Sequence, residues 1–272
     1  MPSIRSALFS LQRTPLHPVL SMVGSVALTV RRRALNVTYR DRDGDWVCRQ
    51  PGATFYGREY SAPLLAEITS ELQDLWCFAF PIQSGDIIVD VGAGVGDDAL
   101  VLSGMVGPSG RVIAIEAHPA TYRCLVKTVK ANRLTNVTPI QAAVSDTNGV
   151  LQIEDSDAHV ANRVLDAGAI EVRALTLDCL LEEVGAERPN LVKMNIEGAE
   201  AAALRGAPVT LRRRVKWVIS CHDFMAHLPG YEASATRAEV VNSLAAAGYA
   251  ISPAREDSRA WVPGYVYATP AE

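Results

Sequence analysis

From Asp86 onward the apolar residues come in short runs, separated by segments in which they recur every three or four positions, the pattern of buried strands alternating with covering helices. Ile87–Asp90, Val112–Ile115, Val137–Gln141, Leu191–Asn195 and Trp217–Ser220 read as strands. Leu100–Met105, Tyr122–Ala131 and Ala199–Leu204 have helical spacing, as does Thr236–Ala247, which Gly248 is placed to stop. Tyr249–Ser252 and Trp261–Ala268 close a mostly parallel sheet of seven strands, and a further pair, Val150–Ile153 and Val172–Leu175, precedes a helix over Thr176–Val184. The expected fold is therefore α/β, with helices on both faces of the sheet.

Before Asp86 the pattern differs. Leu64, Leu65, Ile68, Leu72, Leu75 and Trp76 mark one face of a helix, and Asp-Gly at 43–44 supplies the tight turn of a hairpin joining Val37–Tyr39 to Trp46–Cys48. The apolar run Val19–Val30 is too short to span a membrane and is interrupted by Ser21, Gly24, Ser25 and Thr29. Arg31-Arg32-Arg33 follows that run, the reverse of a secretory signal. Residues 1–35 are expected to form a helical extension buried on the protein or across a homodimer, with a peripheral membrane contact as the alternative. The expected division is an N-terminal extension over 1–80 and a cofactor-binding catalytic domain over 81–272.

Composition narrows the function. Hydrophobic residues make up 49 % and charged residues 21 % of the 272, which excludes a disordered chain. Lysine and arginine total 26 against 30 acidic residues, so the broad cationic field of a nucleic-acid binder is missing. Five cysteines without a CxxC pair argue against a disulfide framework and point to a reducing cytoplasm.

The chemistry concentrates where the first strand of the sheet runs into Gly92-Ala93-Gly94-Val95-Gly96 and then a helix, an arrangement that lets backbone approach a nucleotide-like ligand. The spacing is GxGxG. A dinucleotide fingerprint would need glycine where Asp97 stands, and Asp97 with Asp98 repels a pyrophosphate, which disfavours a dehydrogenase. A phosphate-free cofactor with a positive centre fits, and S-adenosylmethionine is one. Glu116, twenty-four residues beyond Gly92, is placed to accept both ribose hydroxyls, and Asp90 to orient the glycine loop or hold the cofactor ammonium.

Asp90-Val-Gly-Ala-Gly-Val-Gly, Glu116 with His118-Pro119, Ala143-Val144-Ser145-Asp146, Thr176-Leu177-Asp178 and above all Lys193-Met194-Asn195-Ile196-Glu197-Gly198-Ala199-Glu200 resemble the FkbM family of S-adenosylmethionine-dependent methyltransferases. The resemblance covers roughly residues 37 to 222 and implies a class I methyltransferase fold. It also implies methyl transfer to a hydroxyl of a sugar, polyketide or other secondary metabolite, with Ala143, Val144 and Ser145 at the adenine. The chain departs from the family pattern at Asn195, where Asp is usual, and at Gly94, where Asn is usual.

Ligands of such sheets sit beyond the carboxyl ends of the strands, where Asp90, Glu116, Asn195, Glu197, His222 and Asp223 should converge. His222 is the candidate general base, with Asn195 and Glu197 positioning the acceptor. Asn195, Glu197 and Asp223 could instead hold a divalent cation such as magnesium, which the weak ligand Asn195 disfavours. His159 stands beside an acidic stretch that reads as a lid or a solvated loop, and His118 reads as isolated. Phe224, Tyr231 and Trp46 are the expected rim aromatics. A catalytically silent cofactor-binding module with a protein partner is the competing reading, since Asn195 replaces the family Asp.

Overall fold

Seven strands form the central sheet of this computed structural model, which describes residues 17–32, 35–61, 63–155, 164–165, 170–253 and 255–271. In chain order they are β4 (Ile87–Val91), β5 (Arg111–Glu116), β6 (Val137–Gln141), β11 (Leu191–Met194), β12 (Lys216–Ser220), β13 (Tyr249–Ile251) and β14 (Tyr265–Pro270). Their spatial order is β13-β14-β12-β11-β4-β5-β6, and β14 runs antiparallel to both its neighbours while the other pairings are parallel. Both faces are covered, so successive residues of one strand enter different cores: Val89 and Ile113 pack with Trp217, whereas Ile88 and Val112 pack with Leu102 and Tyr267. That double burial explains the near-continuous apolar runs.

The expected helices are present as α3 (Asp97–Val106), α4 (Pro119–Ala131), α5 (Leu177–Glu183), α6 (Glu200–Arg205) and α8 (Arg237–Ala246). A short α7 (Pro208–Arg212) was not foreseen; Pro208 opens it, and the Asp178 carboxylate accepts the amides of Val209 and Thr210. The last strand begins at Tyr265 instead of Trp261, because Pro263 lies in a 3-10 turn over Val262–Gly264 and cannot donate to a ladder. The extra pair is real: β8 (Gly149–Ile153) and β10 (Ile170–Leu175) are antiparallel, and with β7 (Ala143–Val144) and β9 (Val164–Leu165) they form a separate small sheet.

Upstream, β1 (Val37–Arg40) and β2 (Trp46–Gln50) make the expected hairpin, and an unforeseen β3 (Ala53–Gly57) extends it to three strands. The Asn132 side chain ties this sheet to α4, accepting the Thr54 amide at 2.8 Å and donating to the Thr54 carbonyl at 2.7 Å. The helix expected over 64–76 is α2 (Leu65–Glu71) continued by a π-helical turn, Leu72–Trp76, in which the Cys77 amide reaches back to the Leu72 carbonyl at 2.9 Å. Helix α1 (His17–Arg32) packs on β1 with Leu20 buried, while Val19, Met22, Val23 and Val26, expected to be buried on the protein or across a dimer, are exposed on the single chain.

Candidate active site

A cavity of about 320 Å³ opens beyond the carboxyl ends of β4, β5 and β11. Strand order reverses between β4 and β11, which splits the loops apart there. Gly92 has φ +80°, and a Cβ on it would lie 2.0 Å from the Asn195 carbonyl oxygen, so the chain passes there only as glycine. Gly96, also with positive φ, does not reach the cavity, a correction to its expected role as a ligand contact. A Cβ on it would press on Leu125 at 2.7 Å, so it serves helix packing.

Glu116 lines the cavity floor. Its Oε2 accepts the Gly94 amide at 3.0 Å and its Oε1 the His118 amide at 2.9 Å, which pins the carboxylate against the glycine turn. Burial pushes this carboxyl up to about 7 despite those bonds. His118, itself buried, lines the cavity and caps α4 by accepting the Thr121 amide through Nδ1 at 3.4 Å. It is not isolated: its place two residues after Glu116, before Pro119, is a helix-start pattern. Burial and the nearby Arg58 lower its pKa, so it is a neutral imidazole at neutral pH.

Asp90 does not line the cavity. It is fully buried one layer below, where Lys193 Nζ lies 2.6 Å from its Oδ1, 3.2 Å from Asp98 and 4.4 Å from the centre of the Trp76 ring. Its Oδ1 is taken by Lys193 while its Oδ2 has no hydrogen-bond partner, and because Asp90 does not line the cavity it does not meet a cofactor ammonium there as expected. Burial alone would lower the Lys193 ammonium, but Asp90 and Asp98 overcome it and hold the group above its ordinary value. Ala143 and Val144 line the cavity as expected, together with Ala142. Ser145 does not, because its amide donates to the Leu175 carbonyl within the small sheet and its hydroxyl turns to Asp146.

Asn195 and Glu197 both reach the cavity. Asn195 Oδ1 is buried and has no hydrogen-bond partner. Glu197 is held in the left-handed region at φ +53°, an uncommon position for glutamate, with Gly198 following at φ +103°. His222 stands behind it: Nε2 is 3.2 Å from Glu197 Oε1 and Nδ1 is 3.0 Å from Glu200 Oε1. Glu200 is fully buried and also accepts the Thr236 hydroxyl at 2.8 Å.

Burial alone would lower the His222 pKa, but the two carboxylates outweigh it and raise it to about 10. His222 is therefore an imidazolium outside the cavity, and the free base expected at this position is corrected. Glu200, which the sequence offered only as the last residue of the family motif, is its anchor; its apolar setting, Ala199 and Ala201–Ala203, was the available signal.

Of the candidate cation ligands, Asn195 and Glu197 line the cavity, whereas Asp223 does not, and its Oδ2 accepts the Arg237 amide at 3.0 Å. Among the described residues, the group of acidic, histidine or cysteine ligand atoms that converges is Asp41, Asp43 and Asp45, and Lys127 is bonded to it. The cavity aromatics are Trp76 and Tyr265 instead of Phe224, Tyr231 and Trp46. His159 lies outside the described residues.

A glycine cradle at a sheet switch point and an acidic residue ending the next strand are the arrangement of a class I methyltransferase fold. Residues 90–251, more than half of the chain, match the family model described as the methyltransferase FkbM domain. The chain belongs to this family of S-adenosylmethionine-dependent methyltransferases. It is 24 % identical over 186 residues to the hexuronic acid methyltransferase AglP of Haloferax volcanii, covering 60 % of this chain and 73 % of that one. A shorter stretch of 64 residues is 42 % identical to protein-L-isoaspartate O-methyltransferase 2 of Archaeoglobus fulgidus, covering 24 % of this chain and 26 % of that one. The FkbM methyltransferase structure from Methylobacillus flagellatus superposes with a TM-score of 0.52 at 18 % identity, covering 70 % of this chain and 45 % of that one. The present chain thus spans less than half the length of that protein.

Proposed function

We propose that the protein methylates a hydroxyl oxygen of a small neutral, sugar-like acceptor, with Glu197 receiving the hydroxyl proton. The observation that carries this reading is the chain Glu200–His222–Glu197, which ends with one carboxylate at the cavity wall. When bound, S-adenosylmethionine supplies a methyl group already activated by its sulfonium. The glycine turn, Glu116, Ala143 and Val144 would hold it, and the unpartnered Asn195 Oδ1 suits an ammonium or hydroxyl donor. His222, bonded to both carboxylates, fixes the Glu197 rotamer, so Glu197 meets the hydroxyl with a defined oxygen. Asn195 orients the acceptor beside it.

The character of the wall favours a neutral acceptor. Glu71, Asp97, Asp98, Glu116 and Glu197 all line the cavity, and the cationic Lys193 is already paired with Asp90 and Asp98. Burial and the neighbouring Asp98 raise the Glu71 carboxyl, a sign of crowded negative charge. Carboxylates accept sugar hydroxyls, and Trp76 offers an apolar face, whereas an anionic uronate would be repelled. Here the chain is expected to differ from AglP.

Mass spectrometry of methyl transfer from S-adenosylmethionine to neutral sugars, amino sugars and uronic acids tests this. Ether formation on a neutral or amino sugar is expected, and Glu197→Gln should lower turnover by roughly 10²- to 10⁴-fold with cofactor affinity retained. Preferential esterification of a uronate carboxyl would overturn the reading.

A further inference from the structure

Helix α1 carries its polarity in the inverse sense for a helix docked on a protein. Apart from the buried Leu20, the side that meets the hairpin sheet is polar: Ser25 Oγ accepts the Thr38 amide at 2.9 Å, the Thr38 hydroxyl donates to the Ser21 carbonyl at 3.1 Å, and Thr29 Oγ1 accepts the Asn36 amide at 3.0 Å. Gly24 lets the helix approach Tyr60 so closely that a Cβ would fall 1.9 Å from the phenolic oxygen. The outward side presents Val19, Met22, Val23 and Val26, spaced as one helical stripe and 54 to 65 % exposed. Leu35, 68 % exposed, follows the helix. A protein that buries polar groups of a helix and leaves its apolar stripe out has a use for that stripe.

Charge selects the partner. The first forty residues contain six arginines (Arg5, Arg13, Arg31, Arg32, Arg33 and Arg40) and no acidic residue, while the remainder holds 20 basic against 30 acidic residues. A second copy seated stripe to stripe would bring like-charged segments together. A bilayer with anionic headgroups offers the complementary charge and an apolar layer at the depth such a stripe reaches. The helix has 16 residues, about 24 Å of rise, short of the roughly 30 Å hydrocarbon core. No described helix is long and apolar enough to cross a membrane.

We infer that α1 is an in-plane membrane anchor: Val19, Met22, Val23 and Val26 enter the acyl boundary of an anionic lipid surface, and the surrounding arginine-rich segment is drawn to its headgroups. The test is co-sedimentation of the full-length protein with phosphatidylcholine vesicles, with and without roughly one-third phosphatidylglycerol. Binding should be at least about ten-fold stronger to the anionic vesicles and weaken in high salt. The double variant M22E/V26E should lose that binding at least about ten-fold, with circular dichroism and melting temperature unchanged because both positions are exposed. Equal binding to neutral and anionic vesicles would overturn the inference, as would undiminished binding by the double variant. A solution dimer that the double variant splits, read by light scattering, would also overturn it by assigning the stripe to a second copy.

Discussion

Glu116 is a carboxyl raised to about 7 by burial while three backbone amides work to keep it ionised. Ribose hydroxyls donate best to the charged form, so cofactor affinity should rise about ten-fold between pH 6 and 8 as the free enzyme's carboxyl titrates. Calorimetry should show this slope vanish in Glu116→Gln, with a loss of about 1.5 to 3 kcal/mol at pH 8. His222 titrates with the opposite consequence. Its folded pKa, about 10, exceeds the ordinary 6.5, so the stability it lends is whole below pH 6.5 and drains away as pH climbs to 10. His222→Gln should flatten that part of a denaturation profile. Neither environment was legible in the sequence: residue type and strand-end position nominated Glu116 and His222, but the second carboxylate facing His222 and the 103-residue separation of Lys193 from Asp90 belong to the folded chain.

At the scale of elements, side chains that complete a neighbour's hydrogen bonds decide how the parts are held. Asn132 closes α4 and pairs with both polar groups of Thr54, so Asn132→Ala should destabilise by about 1 to 3 kcal/mol. Amide exchange should quicken in β2 and β3 before the central sheet responds. Periodicity identified every strand of the seven because both faces are buried and the runs are apolar. It missed β3, where polar Thr54 and Tyr56 alternate with Ala53 and Phe55 over only five residues, and it missed α7, which has a single buried residue. It placed an N-terminal helix but did not show which side faces the protein: an apolar stripe normally marks the buried side, and here Leu20 and the serines and threonines do.

For the whole molecule, cofactor binding and folding are one equilibrium, because the cavity walls come from β4, β5, β7, β11 and the π turn, and no one element builds them. A ligand that binds only the assembled form stabilises all of it. S-adenosylhomocysteine at about one hundred times its dissociation constant should add about 2.7 kcal/mol, visible as a rise in melting temperature that NAD does not produce. The alternation of strands and helices implied a parallel sheet with its ligands beyond the carboxyl ends of the strands, which is why the cavity's location was foreseeable while the strand order and the share of Glu71 on α2 in its acidic lining were not.

The π turn at Leu72–Trp76 has one residue more than an α-helix of the same span would use, and Trp76 at its end lies against Lys193. A π turn covers about the same rotation as an α-helical turn with one residue fewer, so loss of one residue from this turn ahead of Trp76 would restore regular helix and leave the indole close to its present bearing, whereas the same loss in a regular helix would turn everything beyond it by about 100°. An indel, ordinarily a lesion of architecture, would here be absorbed: the segment would stay helical, the cavity would keep its aromatic wall and the ammonium its π-face. The surplus residue is thus slack in the chain beside the cavity, a place where such a scaffold could change its length without touching the cofactor cradle.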